Sequence, residues 1–137
     1  MSTHEGGCLC GLVRYRVQGP FHQFHLCHCS RCRRFSGTAH AANLMVPASH
    51  LEWLAGEDSV RRYDLPETRF SRAFCQVCGG MVPHTRGELA IVPAGGLDRD
   101  PDMDPDDHIF WDDRAGWYEP GLGAKKYSQT RTADGPD

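Results

Sequence analysis

Seven cysteines occur in this chain, and none stands alone. Cys8-Leu9-Cys10, Cys27-His28-Cys29-Ser30-Arg31-Cys32 and Cys75-Gln76-Val77-Cys78 gather every thiol into a cluster with ligand-like spacing. Thiols that share an ion must converge in space whatever the intervening chain does, so this pattern limits the fold more than any other feature. The opening residues, Met1 to Gly7, carry neither a basic n-region nor an apolar h-region. A cytoplasmic location is therefore expected, and there paired cysteines are metal ligands rather than disulfides. The odd count also suits a disulfide framework badly.

The chain has 137 residues and 39% apolar side chains, with 15 glycines and 9 prolines to make turns. That is enough for one domain with a modest core, which a metal staple would help to hold. We place the domain at residues 1–127 and a polar tail at 128–137. A net charge of −3 counts against a nucleic-acid partner, which calls for a basic excess. Two divalent ions on seven thiolates would make the chain more acidic still. No apolar run approaches the length that spans a bilayer, so no membrane partner is expected. The oligomeric state is left open.

Period-two alternation dominates. Val13, Tyr15 and Val17 share one face of a strand, and Phe21 to Cys29, Ala39 to Val46, Ser59 to Asp64 and Thr68 to Phe74 read as further strands. Met81 to Thr85 and Glu88 to Ala94 form a hairpin across Arg86-Gly87. His108 to Trp111 reads as a last strand. Short strands with turn signals between them predict an all-β, antiparallel domain with no helix of three turns.

The outer cysteine pairs come first. Residues i and i+2 of a strand face the same way, so Cys8 and Cys10 can address one ion. Cys75-x-x-Cys78 has knuckle spacing, and Gly79-Gly80 allow the tight backbone it needs. Four thiolates form the closed set of a structural zinc. Ligand count would also admit an iron–sulfur cluster, but the spacing of common ferredoxins is absent.

The middle cluster offers three sulfurs. Cys27 and Cys29 share a strand face and Cys32 returns from the following turn. Three protein ligands leave a fourth position open, as at catalytic zinc sites. His25, two residues before Cys27, could instead close it as a structural Cys3His site. Three thiolates donate strongly to a metal, which disfavours hydrolysis and favours capture of another thiol as thiolate, the nucleophile that adds to a carbonyl.

Gly6-Gly7-Cys8-Leu9-Cys10-Gly11, Cys27-His28-Cys29-Ser30-x-Cys32-Arg33 with Ser36-Gly37, and Phe74-Cys75-x-x-Cys78-Gly79 occur in that order. Together they resemble the glutathione-dependent formaldehyde-activating enzyme family, whose domain recurs in a centromere-associated protein. Ala94-Gly95-Gly96-Leu97-Asp98, His108-Ile109 and Trp117 extend the likeness to Tyr118. The resemblance implies an Mss4-like fold of coiled antiparallel sheets clamped by a structural zinc on Cys8, Cys10, Cys75 and Cys78. It implies a second, labile catalytic zinc on Cys27, Cys29 and Cys32. The implied reaction joins formaldehyde to glutathione as S-hydroxymethylglutathione, a carbon–sulfur lyase chemistry whose partners are a small thiol and a small aldehyde. The aspartate-rich loop and the short polar C-terminus depart from the family.

Around the middle cluster, Arg31, Arg33 and Arg34 suit the carboxylates of glutathione, with Arg33 and Arg34 taken as substrate contacts. His40 and His84 are read as structural or surface groups, His28 as facing away from the sulfurs, and His108 with Trp111 as packing on the sheet. The run from Asp98 to Asp107 lacks the central glycine and terminal glutamate of a calcium loop and is read as solvated. The alternative function is a non-catalytic zinc module that binds a protein or polymer, which a histidine-closed second site would favour.

Overall fold

The computed structural model describes residues 2–131; Met1 and positions 132–137, most of the expected tail, lie outside the described residues. Eleven strands run in chain order as β1 (Thr3–Gly7), β2 (Arg14–Gln18), β3 (Gln23–Cys27), β4 (Ala41–Pro47), β5 (Leu51–Ala55), β6 (Val60–Asp64), β7 (Ser71–Cys75), β8 (Met81–Val82), β9 (His84–Arg86), β10 (Leu89–Pro93) and β11 (Asp107–Ile109). Two short helices, α1 (Ser30–Ser36) and α2 (Tyr118–Leu122), complete the described chain together with four single 3-10 turns. The all-β expectation holds, with no helix of three turns among the described residues. None is long and apolar enough to cross a membrane.

The strands form three sheets in the orders β1-β2-β5, β11-β3-β4-β10-β9 and β6-β7-β8. Pairing is antiparallel throughout except between β11 and β3. The hairpin at Arg86-Gly87 is present as β9 and β10, with Leu89 opposite Arg86. Pro83 separates β9 from β8, which turns to pair with β7 instead. β1 was not foreseen: Gly6 and Gly7 weaken its strand pattern, yet Gly6 is required. A Cβ there would sit 2.5 Å from the Gly96 carbonyl oxygen and 2.7 Å from the Tyr15 hydroxyl.

Alternation decides what each strand buries. β2 turns Tyr15 and Val17 inward against Phe24 of β3, Leu44 and Val46 of β4, and Ala90 and Val92 of β10. β4 is two-sided. Its even positions, Leu44 and Val46, enter this main core, while Ala41, Asn43 and Met45 face the opposite way. A second small core joins Cys8, Val13, Ala73, Cys75 and Val82, and a third joins Cys27, Cys32 and Ala41. Each sulfur cluster thus sits at the seam between sheets, where the apolar core alone is thin.

The aspartate loop is more than solvated chain. Asp98 pairs with Arg14 through both carboxylate oxygens, Asp106 accepts the Phe24 backbone N–H at 2.8 Å, and Asp107 meets the His25 ring at 2.6 Å. These contacts moor the loop to the sheets and carry β11 to the edge of β3. The expected strand through Trp111 ends at Ile109, because Phe110 takes left-handed backbone angles (φ 54°) and Trp111–Asp113 form a 3-10 turn.

Candidate metal centres and the arginine-lined hollow

Two groups of side chains among the described residues could each hold a metal ion: Cys8, Cys10, Cys75 and Cys78, and Cys27, Cys29 and Cys32. Within each, all sulfurs lie within 4.8 Å of one another. All seven thiols are free.

In the first group the measured separations are 3.6 Å between the Cys8 and Cys10 sulfurs and 4.0 Å between those of Cys10 and Cys75. A disulfide needs about 2.05 Å, whereas sulfurs held at about 2.3 Å around a tetrahedral ion stand about 3.8 Å apart. Backbone N–H groups aim at these sulfurs: Val13 donates to Cys8, Val77 to Cys75, and both Cys10 and Gly80 to Cys78, at 3.3–3.4 Å. The last two donors pull the Cys78 thiol down to about 6, which favours the thiolate a metal requires. The donor set fits an ion.

Cys8 and Cys10 do not converge by strand alternation. β1 ends at Gly7, and Cys8–Gly11 make a turn closed by the Gly11 N–H on the Cys8 carbonyl (3.2 Å). Both pairs are therefore knuckles. The reason is the same for each: a strand would spend its N–H groups on a neighbour, while a turn leaves them for sulfur. Gly79, at φ 75°, supplies the left-handed residue of the second knuckle.

The second group is built at the β3–α1 junction. Cys27 ends β3, and Cys29 caps α1 in extended conformation, its sulfur accepting the Cys32 N–H at 3.3 Å. Cys32 comes round on the first turn, and Gly37, left-handed at φ 67°, ends the helix. His28 points the other way, fully buried, with a ring nitrogen 2.8 Å from His108 and its ring packed on His40, Trp111 and Tyr118. His25 does not join the sulfurs. Its ring is held by Asp107 at 2.6 Å and Gln23 at 3.1 Å, so it does not close the site.

Above these sulfurs is a hollow of about 230 Å³. Arg31, Arg69, Arg72 and Arg86 line it together with Asn43, while Met45, Phe70, Ile91, Ile109 and Phe110 give it an apolar wall. Its lining contains no carboxylate and no imidazole. Arg72, buried on β7, donates from Nη2 to the Cys32 sulfur at 3.0 Å and from Nη1 to the Ser71 carbonyl at 2.7 Å. Its guanidinium lies 4.5 Å from the centre of the Phe70 ring. Cys27 is pulled down to about 6, first by the Cys32 thiol that donates to it, against the effect of burial, with the Arg72 charge assisting. Cys32 is pushed up by that same donation and by burial.

Of the three arginines expected near the sulfurs, only Arg31 lines this hollow. Arg33 and Arg34 lie round the helix and line a separate hollow with Ser30, Gly37, Thr38 and Trp117, where Arg33 donates to the Asp113 carbonyl at 2.9 Å. A helix turns about 100° per residue, so with Arg31 and Cys32 both presented to the hollow, positions 33 and 34 face away from it. His40 and His84 are also absent from the three-sulfur hollow. Arg69, Arg72, Arg86 and Asn43 are the residues sequence reasoning missed. An arginine inside an alternating strand that ends in a cysteine knuckle was the one available signal.

The sequence model of the glutathione-dependent formaldehyde-activating enzyme family matches residues 3–113. The chain belongs to this family. A relative of the formaldehyde-activating family from Halomonas elongata, named "Putative glutathione-dependent formaldehyde-activating enzyme", is 31% identical over 124 residues, covering 84% of this chain and 79% of the relative. A crystal structure of a Rhodobacter sphaeroides protein superimposes with a TM-score of 0.58 at 26% identity, covering 74% of this family member and 91% of that chain. The match over residues 3–113 includes all seven cysteines and all four arginines of the hollow.

Proposed function

We propose that the hollow above Cys27, Cys29 and Cys32 is the active site of a carbon–sulfur lyase that joins glutathione to formaldehyde and, in reverse, splits the adduct. The carbon–sulfur bond forms between the glutathione sulfur and the carbonyl carbon, and the thiol proton ends on the former carbonyl oxygen of S-hydroxymethylglutathione. Zinc is the ion we assign to both sulfur groups, structural on Cys8, Cys10, Cys75 and Cys78 and catalytic on Cys27, Cys29 and Cys32. The reading rests on one observation above all: three convergent sulfurs, unclosed by any fourth side chain among the described residues, at the base of a hollow whose charged lining is solely arginine.

A zinc ion held there would supply the Lewis acidity that keeps an incoming thiol in its thiolate form. The chain's own residues do the rest. Arg31, Arg69 and Arg86 bind the two carboxylates of glutathione, for which guanidinium forks are suited. Asn43, buried and facing the hollow, donates to the aldehyde oxygen as charge grows on it. Met45, Phe70, Ile91, Ile109 and Phe110 exclude water and so strengthen these interactions. The hollow offers no carboxylate or imidazole base, so the proton that the thiol gives up passes to solvent and solvent returns one to the adduct's oxygen. The family's description supports small-molecule substrates, a thiol and an aldehyde, for this domain; its extent over residues 1–127 and a cytoplasmic location are part of the proposal.

The test is exchange NMR of a glutathione and formaldehyde mixture. Zinc-loaded protein should accelerate interconversion of free and hydroxymethylated glutathione, and Cys29→Ser should not. Interconversion at the spontaneous rate with fully zinc-loaded protein overturns the proposal.

A further inference from the structure

Arg72 is the structure's least expected charge. Its side chain is buried, it sits in a strand, and none of the ion pairs among the described residues includes it. Asp64, which stands opposite the adjoining Ser71 on the neighbouring strand, is engaged by Arg62 at 2.9 Å and by the Ser71 hydroxyl at 2.5 Å. A buried guanidinium with no compensating anion is strongly unfavourable. Among the described residues, only one group that can be anionic touches it, the Cys32 sulfur at 3.0 Å.

We infer that Arg72 is a positioning residue that acts as the counter-cation of the three-sulfur site, holding the Cys32 sulfur in place as a ligand and setting how tightly the site holds its ion. The inference rests on the proposed reading of Cys27, Cys29 and Cys32 as a metal site. The charge count explains why such a cation is built in. A divalent ion on three thiolates leaves one net negative charge, which the guanidinium cancels. An incoming thiolate restores a negative charge that would otherwise be doubled in a site of low dielectric. Geometry permits this role because the fork is anchored on both sides. Nη1 holds the Ser71 carbonyl, the Phe70 ring covers the guanidinium face, and Nη2 reaches the sulfur. A lysine would carry the charge but could not make both bonds from a planar group.

The experiment is zinc release to a chromogenic chelator, read on purified zinc-loaded protein of full length. The four-cysteine site serves as internal control in the same molecule. Wild-type protein should release one equivalent readily and a second only at high chelator. In Arg72→Gln the labile equivalent should bind about 10–100-fold more weakly, while the tight equivalent is unmoved. Arg72→Lys should recover most of that loss. In the cobalt(II)-substituted protein, only the sulfur-to-metal absorption of the labile site should shift in Arg72→Gln. If the wild type holds a single equivalent, the metal reading falls and this inference with it. If the wild type holds two and Arg72→Gln retains the second as tightly, the metal reading stands and the role of Arg72 is overturned. Should Arg72→Gln fail to fold, Arg72→Lys decides: a second equivalent retained supports the counter-cation, and one as weak as in Cys32→Ser overturns it.

Discussion

Arg72 and Cys75 stand three residues apart on β7 and serve opposite sulfur clusters. The Cys75 sulfur belongs to the four-cysteine group, while the Arg72 guanidinium reaches Cys32 of the three-cysteine group. Strand alternation puts them on opposite faces, so β7 is the wall between the two sites. Whatever fixes the end of β7 also fixes the arginine over Cys32.

The two sites should therefore fail differently. A structural zinc contributes about 10–16 kcal/mol, as much as the whole net stability of an ordinary domain, about 5–15 kcal/mol. Cys78→Ser should leave the chain unfolded. Cys29→Ser should remove one metal equivalent and leave the fold intact. Circular dichroism with metal analysis of both variants checks this, and equal unfolding of the two would refute the division of labour.

The arginines should divide by hollow. Arg69 and Arg86 are exposed at the rim, so each is worth roughly 1 kcal/mol, about a fivefold rise in KM for glutathione on substitution with glutamine. The kcat should change little, since such contacts bind ground and transition states alike. Arg33→Gln and Arg34→Gln, on the other side of α1, should leave both constants unchanged. Steady-state kinetics of the four variants is the check.

Phe110 carries backbone strain at the mouth of the site. A bulky residue at φ 54° costs about 1–2 kcal/mol, and Phe110 is 61% exposed while lining the hollow. Phe110→Gly should raise the melting temperature or leave it unchanged, yet lower kcat/KM. Lower stability with full activity would show that the strain has a structural purpose instead.

His84 sets an acid limit on stability. Burial, then the charges of Arg72 and Arg62, push it down to about 3 from an ordinary value near 6.5. The unfolded chain thus binds a proton that the folded chain refuses. The stabilisation is complete above about pH 6.5 and falls by roughly 1.4 kcal/mol per unit as pH drops from there toward about 3. Urea melts at pH 7 and pH 5 should show this loss in the wild type, and His84→Gln should lose less.

Much of this arrangement was legible in the sequence because it is local. The C-x-x-C spacing of Cys75 and Cys78 reports a knuckle, and the alternation of Val13, Tyr15 and Val17 reports a buried strand face. The sense in which Cys8 and Cys10 converge was misread, because spacing of two suits a turn as well as a strand. What surrounds Cys32 was not legible at all. Asn43, Arg72 and Arg86 come from β4, β7 and β9, and only the order of strands in two sheets brings them to α1. Arg33 and Arg34 adjoin Cys32 in sequence, yet the helix turns their side chains into a different hollow.

The central claim is that the three-cysteine ion keeps a position that an incoming sulfur fills. Zinc K-edge X-ray absorption counts sulfur neighbours directly. Protein holding two zinc ions per chain should average between three and four sulfurs per zinc, and glutathione should raise that average to four. A single zinc per chain, or a sulfur count that glutathione leaves unchanged, would contradict the account.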